Sequence, residues 1–150
     1  MPRSMTLAAE AAVEASNVCW VLLYELYFPT GTVRFCSALH DVAWDGNVYL
    51  GAGAVSNVEP VVESVAPTAL ARNIRFSAID TDYLTAILDD HYQGQTMREY
   101  LALCDAEWKV IDDPVLTFEG RMDEPEISVG AQAAIQLSVE NRMAGWDQPR

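Results

Sequence analysis

The spacing Gly51-Ala52-Gly53, following an apolar stretch, is a place in this chain where residue types could do chemistry. A dinucleotide-binding loop needs G-x-G-x-x-G between a strand and a helix, so that the glycines admit a pyrophosphate to the helix N-terminus. Here Ser56 stands at the third glycine position, and the following "NVEPVVES" carries Pro60 and β-branched residues that do not start a helix. Upstream, "WDGNVYL" sets Asp45-Gly46 between apolar residues, the pattern of a tight I′ hairpin turn. The stretch reads as a hairpin in which Trp44 and Tyr49 flank the turn. Gly51 and Gly53 then let the chain bend or approach a neighbour closely.

Carboxylates are the next candidates. Asp112 and Asp113 precede a proline, and Asp123, Glu124 and Glu126 surround another, in "MDEPE". A glycosidase needs two carboxyls at a set separation across a cleft, which sequence adjacency does not supply, and no EF-hand spacing is present. Both clusters read as exposed acidic turns. His40 and His91 lack any paired metal-ligand spacing, and no serine sits in a G-x-S-x-G elbow. Cys19, Cys36 and Cys104 are odd in number and contain no CxxC pair. They read as reduced structural thiols rather than a metal or redox site. These residues imply no catalytic group, metal or cofactor.

The elements that carry these residues are mostly strands. In "WVLLYELYF", Trp20, Leu22, Tyr24, Leu26 and Phe28 share one face while Val21, Leu23 and Tyr27 make the other face apolar too. Such a strand must be covered on both sides. "PTGT" turns the chain into "VRFCSAL". Cleaner period-two alternation follows in "RNIRFSAI" (Ile74, Phe76, Ala78), "VLTFEGR" (Leu116, Phe118) and "AIQLSVEN" (Ile135, Leu137, Val139). These predict half-buried antiparallel strands with one wet face. "DTDYLTAILDDHYQG" instead predicts a central helix, capped from Asp80 and Thr81, ended at Gly94, with Leu84, Ile87, Leu88 and His91 on one stripe.

At 150 residues the chain is long enough for one domain with its own core, and about half its residues are apolar. The run "VCWVLLYELYF" is too short to span a bilayer and holds Glu25. In "MPRSMTLAAEAAVEASNV", Glu10 and Glu14 interrupt what an export signal would need as an apolar run, so a short helix or arm over 1–17 is expected ahead of a β domain over 18–150. The net charge of −13 argues against a surface that wraps nucleic acid or binds anionic lipid.

The turns and strand ends taken together resemble a family of tail proteins from long-tailed bacteriophages and related gene transfer agents. The matching residues are "WVLLYELYFPTGTVRFCSALHDVAWDGNVYLGAG", "IRFSAID", the segment "TDYLTAILDDHYQGQTMREYLAL", "DPVLTFEGRMDEPEI" and "IQLSVENRMAGWDQPR". The more specific blocks are "WDGNVYLGAG", with Trp44, Asp45, Gly46, Tyr49, Gly51 and Gly53, and "FEGRMDEPEI" with "VENR". The resemblance implies a tail-tube-like β-sandwich or barrel-like fold with a flanking helix. It implies a non-enzymatic baseplate hub or tail-tip subunit in a trimeric or hexameric ring, made in the bacterial host cytoplasm and built into the virion tail beside other tail proteins. Genomic DNA would pass through such a ring during ejection without specific binding. Glu119, Asp123, Glu124, Glu126 and Glu140 are the candidate channel-facing acids, which would repel that DNA. A distal tail adaptor and, from another class, a cell-wall hydrolase are the rival readings. Larger relatives carry further domains, some with a cysteine-ligated iron–sulfur cluster. Cys19, Cys36 and Cys104 do not make that pattern, so the cofactor is not carried over.

Overall fold

The computed structural model of the chain describes residues 6–14, 18–51, 55–58, 71–77, 93–129 and 133–141. Within them the protein is mainly β. One helix, α1 (Leu7–Glu14), precedes β1 (Cys19–Phe28), β2 (Gly31–Cys36), β3 (Val42–Trp44), β4 (Asn47–Gly51), β5 (Val55–Val58), β6 (Ala71–Ser77), β7 (Thr96–Cys104), β8 (Val115–Val129) and β9 (Ala133–Asn141). The strands form one sheet in the order β3-β4-β2-β1-β7-β8-β9-β6-β5. Its pairs are antiparallel except β2 with β4, which run parallel.

The doubly apolar character of β1 is met by two cores, one on each face. Tyr24, Leu26 and Phe28 join Phe35, Met97, Phe118, Met122, Val139, Leu137 and Ile74 in a seam that crosses β2, β1, β7, β8, β9 and β6. On the opposite face Val21 and Leu23 join Cys36, Ala38, Val42, Tyr49, Ala102 and Cys104, with Trp44, Tyr100 and Val110 packed against them. Trp20, on the same alternation as Leu22, lies at the strand end and stays 54 % exposed. The expected alternation holds where side chains are described: Ile74, Leu137 and Val139 are buried, whereas Arg75 and Glu140 are exposed.

The hairpin is as expected. Asp45 (φ 48) and Gly46 (φ 73) both take the left-handed conformation that a two-residue I′ turn requires, and Trp44 pairs with Asn47 across it. Gly51 has a steric reason of its own. Any Cβ there would drive into the backbone of His40, so the close approach anticipated for this glycine is to its own chain. Val55–Val58 is a strand and not a helix, which removes the local structure a phosphate loop needs.

Two expectations are corrected. "MDEPE" is no turn: it lies inside the fifteen-residue strand β8. The ladder pairs Met122 with Val139 and then Pro125 with Leu137, so β8 holds one extra residue there. A bulge of this kind is where proline is tolerated within a sheet. Leu116 was expected to share a buried face with Phe118, yet it is exposed. A second bulge explains it: Glu99 pairs with Phe118 and Tyr100 with Leu116, so Thr117 is the extra residue and shifts the alternation. The Thr117 hydroxyl donates to the Glu99 carboxylate at 2.7 Å. The helix expected over 80–94 lies outside the described residues, apart from Gln93 and Gly94, which form a turn with Gly94 in the left-handed conformation (φ 77).

Candidate functional site

Glu25 is the carboxylate that interrupts the apolar run of β1, and register decides its neighbours. Antiparallel pairing puts Arg34 of β2 opposite it on one side and Arg98 of β7 on the other. Arg98 in turn lies opposite Glu119 of β8. Four adjacent strands thus present a row of alternating charge, Arg34–Glu25–Arg98–Glu119, on one face of the sheet. Opposite charges at directly facing positions are a stabilising cross-strand arrangement.

The contacts follow the register. Arg34 Nε lies 3.3 Å from Glu25 Oε1, and Arg98 Nε lies 2.7 Å from Glu119 Oε2. Three phenols converge on the same carboxylate. Tyr27 donates to Oε2 at 2.5 Å, Tyr49 to Oε1 at 2.7 Å, and Tyr100 to Oε2 at 3.4 Å. Arg98 donates to the Tyr27 hydroxyl at 3.3 Å, and its guanidinium lies 5.3 Å from the centre of that ring. Trp44 closes the side of the cluster, with ring centres 6.2 Å from Tyr49 and 5.9 Å from Tyr100.

Electrostatics make this a holding site rather than a proton relay. Burial by itself would push the Glu25 carboxyl up, but the hydroxyls of Tyr27 and Tyr49 and the Arg34 guanidinium outweigh it and hold the group below its ordinary range. Burial first, and the bond to Glu25 second, push the Tyr27 phenol up to about 12 and raise Tyr49 as well. The bond to Glu119 is the main cause that raises Arg98. A general base works best with a pKa near the operating pH. Here the carboxylate is kept ionised and the Tyr27 and Tyr49 phenols are kept protonated across the neutral range.

The residues singled out in the sequence distribute around this ladder. Glu119 is one of its members, so its charge is offset by Arg98. Glu140 is exposed and lies opposite Arg121 across the β8–β9 pair. Asp123 is exposed in the β8 bulge, and Glu126 pairs in register with Gln136; the side chains of Glu124 and Glu126 lie outside the description. Thr96, Arg98, Glu119, Gly120 and Arg121 line a polar cleft of about 230 Å³. Tyr49 has a second role that its place in the hairpin did not reveal, since its hydroxyl reaches Glu25. Gly53 and His91 fall outside the described residues. Asp112 and Asp113 occupy the loop between β7 and β8, as expected for an acidic turn.

The cysteines Cys19, Cys36 and Cys104 are free thiols. Among the described residues no cluster of three or more His, Cys, Asp or Glu side chains is placed to hold a metal ion. No described helix is long and apolar enough to cross a membrane. Glu25 itself was not singled out from the sequence; the signal was a lone carboxylate amid a strand apolar on both faces.

The sequence matches no established family profile and no curated protein. The fold is similar to that of a chain in the virion of a native gene transfer agent (GTA) particle. The TM-score is 0.73 at 15 % sequence identity, over 97 % of this chain and 48 % of that chain. The protein thus spans about half the length of that relative. At this identity the likeness is one of fold.

Proposed function

We propose that this chain is a structural protein of a phage-like virion, a baseplate hub or tail-tip ring subunit that joins the tail tube to the tip and lines the DNA channel. The observation that carries this reading is the fold shared with a chain of the GTA particle over nearly the whole length of this protein. The sequence resemblance described above points the same way. In this reading the β body over 18–150 forms the ring wall, with the arm over 1–17 beside it. Identical copies assemble as a trimer or hexamer against other tail proteins, and the protein acts without chemistry of its own.

The charge ladder suits a wall that must keep its shape, because it ties β2, β1, β7 and β8 together through polar contacts with fixed geometry. The proposed repulsion of passing DNA then falls mainly on Asp123, Glu124 and Glu126, since Glu119 is neutralised by Arg98 and Glu140 lies opposite Arg121. Electron microscopy of intact particles tests both points. The expected map shows this chain as a closed ring at the tail tip, with those three acids toward the lumen. Absence from the particle would overturn the reading. A ring with arginine on the lumen and these acids outside would overturn the channel assignment alone.

A further inference from the structure

The loop from β7 to β8 holds a tryptophan where the backbone favours glycine. Trp108 has φ 63, a left-handed conformation that side chains with a Cβ rarely adopt. The loop is fixed around it. Asp105 N donates to Lys109 O at 2.9 Å and Trp108 N to Asp105 O at 3.1 Å, while Asp105 Oδ1 accepts the amides of Glu107 and Lys109. Glycine would serve this turn with less strain, so the turn does not explain the indole. A strained residue on an ordered loop is a reason to ask what its side chain does.

The indole lines an apolar groove of about 450 Å³ together with Ala12 of α1, Val18, Cys19, Trp20, Cys104 and Ile111. Trp108 is 39 % exposed, with the His40 ring edge-on at 4.9 Å, and Trp20 also presents much of its indole to solvent. Buried aromatic anchors are the commonest energetic centres of protein interfaces. The surroundings carry a sign. Between 105 and 113 the loop bears Asp105, Glu107, Asp112 and Asp113 against Lys109, four carboxylates to one ammonium. Indole faces also attract cations.

We propose that this groove receives a segment of another protein in which an aliphatic anchor is flanked by lysine or arginine. The anchor fills the space between Trp20 and Trp108, and the flanking cations meet the loop carboxylates. A second copy of this chain is a poor source of such a segment, since its nine lysines and arginines stand against twenty-two aspartates and glutamates; the contacts of a ring would then use other faces. The groove would take such a segment whatever assembly holds the chain, so a failure here leaves the virion reading standing.

Fluorescence anisotropy with short labelled peptides tests this on the full chain at physiological salt. The probes are a leucine core with lysine ends, the same core with glutamate ends, and a serine core with lysine ends. Only the first is expected to bind well. Trp108→Gly, chosen because glycine suits the loop, should weaken it roughly tenfold or more, the effect of removing an anchoring tryptophan. Glu107→Lys with Asp113→Lys should weaken it as well. Equal binding of the serine-core peptide, or unchanged binding by Trp108→Gly, would mean diffuse charge attraction and overturn the proposal. Self-association in sedimentation equilibrium that Trp108→Gly abolishes would overturn it too, by naming a second copy as the occupant.

Discussion

The hydroxyl of Tyr49 donates a 2.7 Å hydrogen bond to the carboxylate of Glu25, tying the β3–β4 hairpin to the central strand across 24 positions of sequence. Both groups are buried. Removing either partner therefore leaves the other with an unmet demand in a water-poor place. Glu25→Ala strands three phenols and a guanidinium, and is expected to cost about 3–5 kcal/mol, the range for breaking a buried pair. Tyr49→Phe removes one bond to a charged group and should cost about 1.5–3 kcal/mol. Urea unfolding of the two single variants and the double variant checks this. Strict additivity would mean the two groups do not act together.

The same carboxylate sets an acid limit. The folded-state pKa of Glu25 is lowered below the ordinary value of 4.5. Its contribution is thus fully present above that value and is lost as pH falls through the lower folded value. Stability measured between neutrality and strong acid should decline over that window. Glu25→Gln should flatten the decline, because glutamine does not titrate. An identical acid profile for the variant would show that other carboxyls govern it.

At the alkaline end the sign reverses. Tyr27 is raised from 10.0 to about 12, so its contribution is intact below 10 and is lost as pH climbs through 12. Ultraviolet titration of the folded protein should show tyrosines ionising late, while Glu25→Gln moves at least one of them toward the ordinary range. No change in that variant would disconnect the phenols from the carboxylate.

The thiols give a simpler test. Burial pushes the Cys104 thiol up to about 11 and raises Cys36, whereas Cys19 is only half-buried. The thiolate is the reactive form. A chromogenic disulfide reagent at pH 8 should therefore modify Cys19 first, and the full three thiols only in denaturant. Rapid reaction of all three in the native protein would contradict the burial of β7 and β2 at these points.

What the sequence disclosed and what it withheld have distinct physical causes. Alternation with period two is a local signal, so the strands carrying Ile74, Leu137 and Val139 were legible, as was the Asp45-Gly46 turn. Register is not local. Nothing in "YELYF" says that Glu25 will face Arg34 and Arg98, because that depends on which strands pair and where two bulges fall. The bulge at Pro125 also hid the continuation of β8, since proline beside acids has the composition of a turn. Trp108 was missed for a related reason: its left-handed backbone is set by the carboxylate of Asp105 and carries no glycine to announce it.

Gly46 and Gly51 belong to one hairpin, yet each position calls for glycine for a different reason. At Gly46 there is open space around a Cβ but φ is 73, so Gly46→Ala bears only backbone strain, about 1–2 kcal/mol. Gly46→Asn should cost less, since asparagine tolerates that conformation. At Gly51 the backbone is not in that region; there a Cβ meets the main chain of His40, which cannot rotate away. Gly51→Ala must move the segment that lets Gly51 N donate to Asp41 Oδ1 at 2.9 Å, and overpacking of this kind costs about 1–3 kcal/mol or more. Thermal unfolding should rank Gly51→Ala as the most damaging and Gly46→Asn as the least. If Gly51→Ala were neutral, the His40 contact would not be what requires glycine there.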